Sequence, residues 1–347
     1  MANIKTSCAL LMNDVHVSKD NISEFHKNWD EALSICDRED ISDLIIGGDL
    51  WESRASQTLN VLLAVREALI KAKRAGIFVT IAAGNHCKVD QELIVSYSHI
   101  FSEYSDVTII DEFACYNYQS VHLYTMSYFP ENGSFIDRFN VLKEKLDNSV
   151  INILYIHEGI NGALANVSDK ELPTNIFSEF DKVLVGHYHN RCKIKGTNIE
   201  YIGSSRQFNF GEDEEKGYTI LFDDGSAKFV KNQVNIRYKV VEVAQSELDD
   251  DFYDEVAEIT KDPLYRVKAK IICKEEEASL IDQKQLLNAG ISKIDIISED
   301  ILPEKISSSG LDSKFDKNGI RREYVSFCEE KEITSVELGL KYLDKIN

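Results

Sequence analysis

The 347-residue chain has only four prolines, and no glycine- or serine-rich stretch divides it into loosely tethered pieces, so short connections should join its modules. No apolar run approaches the ~18 residues that a bilayer span needs. The N-terminal stretch MANIKTSCALLMNDVH runs straight into an apolar strand, without a signal-peptide cleavage pattern. There is no CxxC pair. Seven cysteines, at 8, 36, 87, 115, 192, 273 and 328, are odd in number and widely spaced. They argue against a disulfide framework and read as free thiols of a reducing compartment. Cytoplasm is the expected location, and no membrane partner is expected. Positive charge is also scarce: 39 Lys and Arg stand against 59 Asp and Glu, a formal net charge of −20. That balance argues against a protein that coats nucleic acid by bulk attraction. The acidic runs at 246–258 (SELDDDFYDEVAE) and 211–217 (GEDEEKG) read as solvated faces.

Hydrophobic residues make up 43% of the chain and charged residues 28%, enough for a globular core. Through the first half, strand-like runs at 8–12, 43–47, 77–82, 107–110, 121–126, 151–156 and 182–186 alternate with helical patterns. Over 21–36, Ile22, Phe25, Trp29, Ala32, Leu33 and Cys36 recur at helical spacing behind Asn21, a natural N-cap. Over 57–75, Leu59, Leu62, Leu63, Ala64, Leu69 and Ala72 do the same, with Gly76 as the stop. Strand–helix–strand order predicts an α/β sheet with helices covering it. Residues 199–223 and the turn at 223–225 predict closing strands and hairpins. Beyond about 236 the pattern changes to strands around an acidic helix and a helix over 276–288, a separate small α+β module. A Ser/Gly/Asp-rich linker (307–319) follows, then two helical patterns, one with Tyr324 and Phe327 and one with Val336, Leu340, Leu343 and Ile346. The domain expectation is 1–234, 235–306, the linker 307–319, and a helical tail over 320–347.

Polar residues gather at the strand ends: Asp14 and His16 after the first, Asp49 after the second, Asn85 and His86 after the third, then His157, His187 and His189. Ligands of open α/β sheets bind beyond the carboxyl ends of the strands, so these side chains should meet in one crevice. Five of the eight histidines fall in this set, whereas His26, His99 and His122 lie in helix or strand patterns. A single strand-end histidine is more often structural than a ligand. Five of them, with two Asp and an Asn, would be costly to bury without partners. The donor count suits two metal ions sharing Asp49, with Asp14, His16 and His189 on one and Asn85, His157 and His187 on the other. Such a pair can clamp a phosphodiester and generate a nucleophile at neutral pH. His86 is left over to protonate the leaving oxygen as general acid.

In order, these segments (DxH, GGDxxE, GNH, a strand-end His, GHxH) resemble the calcineurin-like metallophosphoesterases. YIGSSRQFNFGE (201–212), followed by KGYTIL (216–221), is more closely similar to the SbcD-like nucleases, partners of an SbcC-type ATPase in double-strand-break processing. The resemblance covers about residues 8–300. It implies a four-layer α/β/β/α sandwich with a small α+β capping, DNA-recognition domain and a C-terminal helical tail. It implies a hydrolase with exonuclease and endonuclease activity on DNA in repair or recombination. The implied metals are two divalent ions, manganese first; the ligand chemistry alone also admits magnesium, iron or zinc. It implies Asp14, His16, Asp49, Asn85, His157, His187 and His189 as ligands and His86 as the acid. The implied partners are DNA, an SbcC-like ATPase bound through the tail, and a second copy within a heterotetramer. The chain length is nearer the phage-encoded members, which would place it in a host cytoplasm. A nuclease is compatible with the negative charge where bound cations and a few basic loops make the field local, or where the partner supplies the grip.

The sequence departs from the pattern at GNHC, where Cys87 replaces an acid. That acid reads as a group orienting a histidine by a hydrogen bond, and its loss would cost ~10–100-fold. Arg54 and Arg206, near strand ends, are candidate phosphate contacts, with solvated loop arginines as the equal alternative. Tyr188 reads as packing, and Lys71, Lys73 and Arg74 as cations suited to a helix C-terminus. The alternatives on the same residues are a phosphomonoesterase or cyclic-nucleotide phosphodiesterase, and, in another class, a non-catalytic scaffold.

Overall fold

The run CALLM lies in a strand, Ser7–Met12 (β1), that is buried on both faces. Leu10 and Met12 point into one apolar cluster, and Ala9 and Leu11 into another. A continuous apolar run is what a strand covered on both sides needs. A computed structural model describes residues 5–164 and 170–298 together with Cys328 and Val336. Helix Ile22–Arg38 (α1), Asp43–Ile46 (β2), helix Leu59–Arg74 (α2), Phe78–Ile81 (β3) and Val107–Ile109 (β4) follow in alternation. Next come Phe113–Tyr118 (β5), Val121–Met126 (β6), helix Phe135–Lys143 (α3), Ile151–His157 (β7), Lys182–Gly186 (β8), Cys192–Lys193 (β9) and Ile199–Tyr201 (β10). Gly217–Phe222 (β11) and Ala227–Lys231 (β12) form the closing hairpin. Strand β5 and helix α3 fall outside the expected elements.

Two six-stranded sheets result, in the orders β12-β11-β1-β2-β3-β4 and β5-β6-β7-β8-β10-β9. Strands β1 to β4 are mutually parallel, as are β6, β7, β8 and β10. The sheets pack face to face through Leu11, Ile45, Leu123, Ile153, Tyr155 and Leu184. Helices α1 and α2 cover the outside of the first sheet, and α3 with Phe177 and Phe180 covers the second. The architecture is thus four layers, α/β/β/α.

The buried stripe of α2 is Val61, Ala64, Val65, Ala68, Leu69 and Ala72, while Leu59 and Leu63 are exposed. The expected stripe mixed two faces; the observed one keeps i, i+3, i+4, i+7 spacing and uses short alanines to bring the helix against the sheet. Asn21 stands at the N-cap of α1, but its side chain turns away, donating to His16 O (2.8 Å) and accepting from Ser18 N (2.9 Å).

A third sheet is all parallel: Arg237–Ala244 (β13), Tyr265–Cys273 (β14) and Ile291–Ser298 (β15). Helices Asp250–Thr260 (α4) and Gln283–Asn288 (α5) pack on it around Val256, Val267, Ala269, Ile271 and Leu286. The single helix expected over 276–288 is instead a 3-10 turn (Glu275–Leu280) and α5. Asp282 divides them because its side chain caps Lys284 N and Gln285 N, offering the backbone a helix start at that point. Among the described residues no helix is long and apolar enough to cross a membrane. None of the seven cysteines is joined in a disulfide. The linker over 307–319 and the tail over 320–347 lie outside the described residues, apart from Cys328 and Val336.

Candidate metal centre

Because β1, β2 and β3 are neighbours in one sheet and β7 and β8 in the other, their carboxyl ends open on one crevice. Here the backbone takes costly conformations. Six non-glycine residues among those described have positive φ, and four of them are Asp14 (50°), His16 (46°), Asp49 (47°) and His187 (93°). Each costs on the order of 1–3 kcal/mol and persists only where the surroundings enforce it. The glycines of the motifs serve close approach. A Cβ on Gly84 would lie 2.2 Å from Asp49 Oδ1, and one on Gly48 would lie 2.2 Å from His157 Nδ1.

The side chains converge in three overlapping groups: Asp14 with His16 and His189, His16 and Asp49 with His86, and Asp14 and Asp49 with His157. Asp14, assigned by the sequence pattern to one ion, belongs to two of the three, as do His16 and Asp49. Asp14 Oδ1 is buried without a hydrogen-bond partner. The Nε2 atoms of His16, His157 and His189 surround it at 3.8, 3.7 and 3.8 Å, too far for hydrogen bonds. Donor atoms around one tetrahedral ion, each ~2.1 Å from it, stand roughly 3.4 Å apart, so these separations are a few tenths of an ångström wider than a single shared ion sets. His16 Nδ1 lies 3.0 Å from Glu52 Oε2, and His189 Nδ1 lies 2.9 Å from Glu212 Oε1. The Glu212 contact is a hydrogen bond that places the His189 proton on Nδ1 and leaves its Nε2 as a lone pair, whereas the Glu52 contact is a charge pairing in which His16 Nδ1 makes no hydrogen bond. The two Nε2 atoms face each other at 3.2 Å. At that distance the two nitrogens either share a proton or, with both rings protonated on Nδ1, need a cation against both lone pairs.

His187 lines the same crevice, and its ring centroid is 5.5 Å from that of His157. Its backbone N–H donates to Asp14 Oδ2 (3.1 Å). Asn85 has its side-chain oxygen 3.1 Å from Asp49 Oδ2 and its amide nitrogen towards Arg54; turned over, the same amide would donate to Asp49 and accept from Arg54. Arg54 therefore stands at the crevice wall. His86 donates its backbone N–H to Asp49 Oδ1 (2.8 Å), and its Nδ1 lies 2.6 Å from Glu52 O. A carbonyl only accepts, so the ring carries a proton on Nδ1, and Nε2 is the nitrogen that remains for proton transfer.

Burial would push the Asp49 carboxyl up; the charge and hydrogen bond of His157, with His16 and His86, outweigh it and hold the group well below the usual range. Burial would lower His157, but Asp49 and Asp14 raise it. Burial, reinforced by His157, lowers His187 to about 4 and keeps that ring a neutral donor. The set of carboxylates, imidazoles and an amide oxygen fits hard to borderline divalent ions.

Three placements differ from expectation. Arg206 is only 5% exposed and does not line the crevice; its guanidinium donates to Val15 O and His16 O (3.2 and 3.4 Å), so it braces the Asp14–His16 loop from beneath. Cys87 is fully buried in the helix-side core, and its thiol points at Asp49 Oδ1 (4.0 Å) rather than at a histidine. Glu212, read as part of a solvated acidic run, is mostly buried and fixes His189. Tyr188 packs on Tyr201 and donates to Glu171. Lys71 and Lys73 pair with Asp30 and Asp106. Asn13 was also missed: it donates to Asp14 Oδ2 and accepts from Tyr155 (2.8 Å), locking the first ligand.

Two face-to-face sheets with helices outside make a four-layer α/β/β/α sandwich, with a crevice of carboxylates and imidazoles at the carboxyl ends of the strands. No protein-family model matches the chain. It is similar to "Putative phosphoesterase 078R" of Invertebrate iridescent virus 3, with 23% identity over 68% of this chain and 70% of that one. It is also similar to the SbcD component of the SbcCD nuclease of Staphylococcus saprophyticus, with 32% identity over 23% of this chain and 24% of that one. Among solved structures, the TT1561 protein of Thermus thermophilus overlays at a TM-score of 0.42 and 9% identity, covering 64% of this chain and 97% of its own. The nuclease MPE of Pseudomonas putida overlays at 0.28 and 14%, covering 62% and 84%.

Proposed function

We propose that the chain is a phosphoester hydrolase and, more finely, a manganese-dependent DNA nuclease that cuts as exonuclease and endonuclease. One arrangement carries the metal part of this reading: Asp14 Oδ1, buried without a hydrogen-bond partner and ringed by the Nε2 atoms of His16, His157 and His189. The similarity to a virus phosphoesterase over two thirds of both chains supports phosphoester chemistry, and the shorter match to the SbcD component of a nuclease supports DNA as substrate.

Asp14, His16 and His189 with Asp49 would hold one ion; Asn85, His157 and His187 with Asp49 would hold the other. The chemistry that such ions supply when bound is Lewis-acid polarisation of the phosphate and a nucleophile at neutral pH. The protein does the rest. Glu52 and Glu212 fix the imidazoles, which spares reorganisation as charge develops. His86, its ring pinned by Glu52 O, delivers a proton from Nε2 to the leaving oxygen. Arg54, at the wall beside Asn85, offers a fork to a phosphate oxygen. The 320–347 tail is the proposed contact with an SbcC-like ATPase, and a second copy completes the heterotetramer.

The test is manganese-dependent cleavage of a duplex end by wild type and His86→Ala, with metal content measured on both. The expected result is cleavage by wild type and a loss of ~10²–10⁴-fold in the variant, with metal stoichiometry unchanged. Loss of the ions in His86→Ala would overturn the acid assignment. Hydrolysis of p-nitrophenyl phosphate or a cyclic nucleotide without any cut in DNA would overturn the nuclease reading and leave the phosphoesterase one.

A further inference from the structure

The crevice is a cavity of about 330 Å³ lined by ten residues. Nine of them are polar or charged; the tenth is Phe208. A cavity serving only a phosphate and its cations gains nothing from an aromatic ring. The Phe208 ring meets His16 edge-on at 5.3 Å and His189 at a tilt at 5.2 Å. The Arg206 guanidinium lies 4.1 Å from its centroid, a buried cation backing the ring. Phe208 itself is only half-buried.

Its position is held from several sides. Phe208 N donates to Glu212 Oε2 (3.1 Å), the carboxylate that also orients His189. Next to it, Gln207 exchanges two hydrogen bonds with the backbone of Tyr238, at 2.7 and 2.8 Å. The ring is therefore braced rather than left to collapse over the ligands. An accessible, pre-positioned aromatic surface against two candidate ligand imidazoles is placed for a flat apolar group attached to the phosphate. In a nucleic acid that group is a nucleobase.

We propose that Phe208 is the stacking platform for the base next to the scissile phosphate, so that the site selects nucleotides over plain phosphate esters. This deepens the nuclease reading and rests on it. Stacking on one ring is sequence-tolerant, because every base has a π-face. The selection is for the presence of a base, not its identity.

The test uses wild type, Phe208→Leu and Phe208→Trp with manganese, on matched single-stranded oligonucleotides whose cleaved nucleotide is either base-bearing or abasic. Wild type and Phe208→Trp should prefer the base-bearing strand by roughly 5- to 100-fold in kcat/KM, the equivalent of one base–aromatic stack. In Phe208→Leu the preference should shrink towards one. A second measurement needs no variant: 2-aminopurine at the cleaved position should be quenched on binding wild type in calcium. An unchanged preference in Phe208→Leu, or no quenching in wild type, overturns the platform while cleavage of both strands leaves the nuclease reading standing. Cleavage of neither strand by a protein that hydrolyses p-nitrophenyl phosphate removes the nuclease reading, and the platform with it.

Discussion

At position 87 a thiol stands where the family pattern has an acid. Burial first, and then the charge of Asp49, push the Cys87 thiol up to about 12, so it is neutral at any working pH. It is a weak donor towards Asp49, enclosed by core side chains, and it is neither a thiolate ligand nor a hinge for a histidine. Cys87→Ser should therefore leave manganese stoichiometry unchanged, as elemental analysis would show. Cys87→Asp would set a second buried carboxyl against Asp49, and two such groups cannot both ionise cheaply. The expected outcome is a lower melting temperature, a loss on the order of 1–3 kcal/mol, and no gain in rate. A faster Cys87→Asp enzyme with unchanged stability would show that the position acts on a histidine after all.

Among the elements, the segment from Arg206 to Glu214 joins the crevice to the third sheet. Arg206 braces the Asp14–His16 loop, and Glu212 holds His189. On the far side, Gln207 pairs with Tyr238, Phe210 packs against Tyr238, and Tyr265 donates to Glu214 (2.9 Å). Removing one carboxylate that orients a ligand typically costs 10–100-fold in metal affinity. Glu212→Ala should weaken manganese binding by about that factor, while Glu212→Gln, whose oxygen still accepts from Nδ1, should lose less. Calorimetric titration of both variants decides it, and equal affinity in Glu212→Ala and wild type would remove Glu212 from the site. Neither link was legible in the sequence, because GEDEEKG looks like any acidic turn until β11 folds back beside β1 and brings it under His189.

Over the whole molecule, burial raises several acids that are neutral when protonated. Cys36, in the core under α1, is pushed from 9.0 up to about 12 by burial and the charge of Asp43. Tyr218 is raised well above its usual value by burial and Glu31. The folded chain keeps these protons while the unfolded chain releases them, so the unfolded state binds fewer protons above pH 9. Stability is then fully present below pH 9 and falls as pH rises towards 12. A melting temperature nearly level from pH 7 to 9 and declining above it, measured in chelator, is the expected profile. Cys36→Ala should make the decline shallower; an identical slope would mean that this thiol contributes nothing to it.

The sequence by itself determined which residues gather and roughly where. The continuous apolar run CALLM carries its two-sided burial in itself, whereas VLLAV in α2 does not reveal its buried face, since Val61, Ala64 and Val65 are buried and Leu63 is exposed. Glycine–polar turns at the strand ends mark the crevice, because only chain reversals at carboxyl termini put Asp14, Asp49, Asn85 and His187 on one edge. What the tertiary structure decided are contacts between segments distant in the chain, which leave no local pattern. Arg206 looked like a phosphate contact and is buried as a brace, since the strand-end loops close over it. Cys87 faces Asp49 because the β3 turn lies against the β2 turn. Glu212 and Glu52 become the partners of His189 and His16 only when two sheets meet. A local pattern reports which face of an element is apolar; it does not report which polar group, from hundreds of candidates, will be pressed against it. Hydrogen bonds between buried groups are settled by that meeting, and here they fix the inward-facing nitrogens on which the proposed chemistry depends.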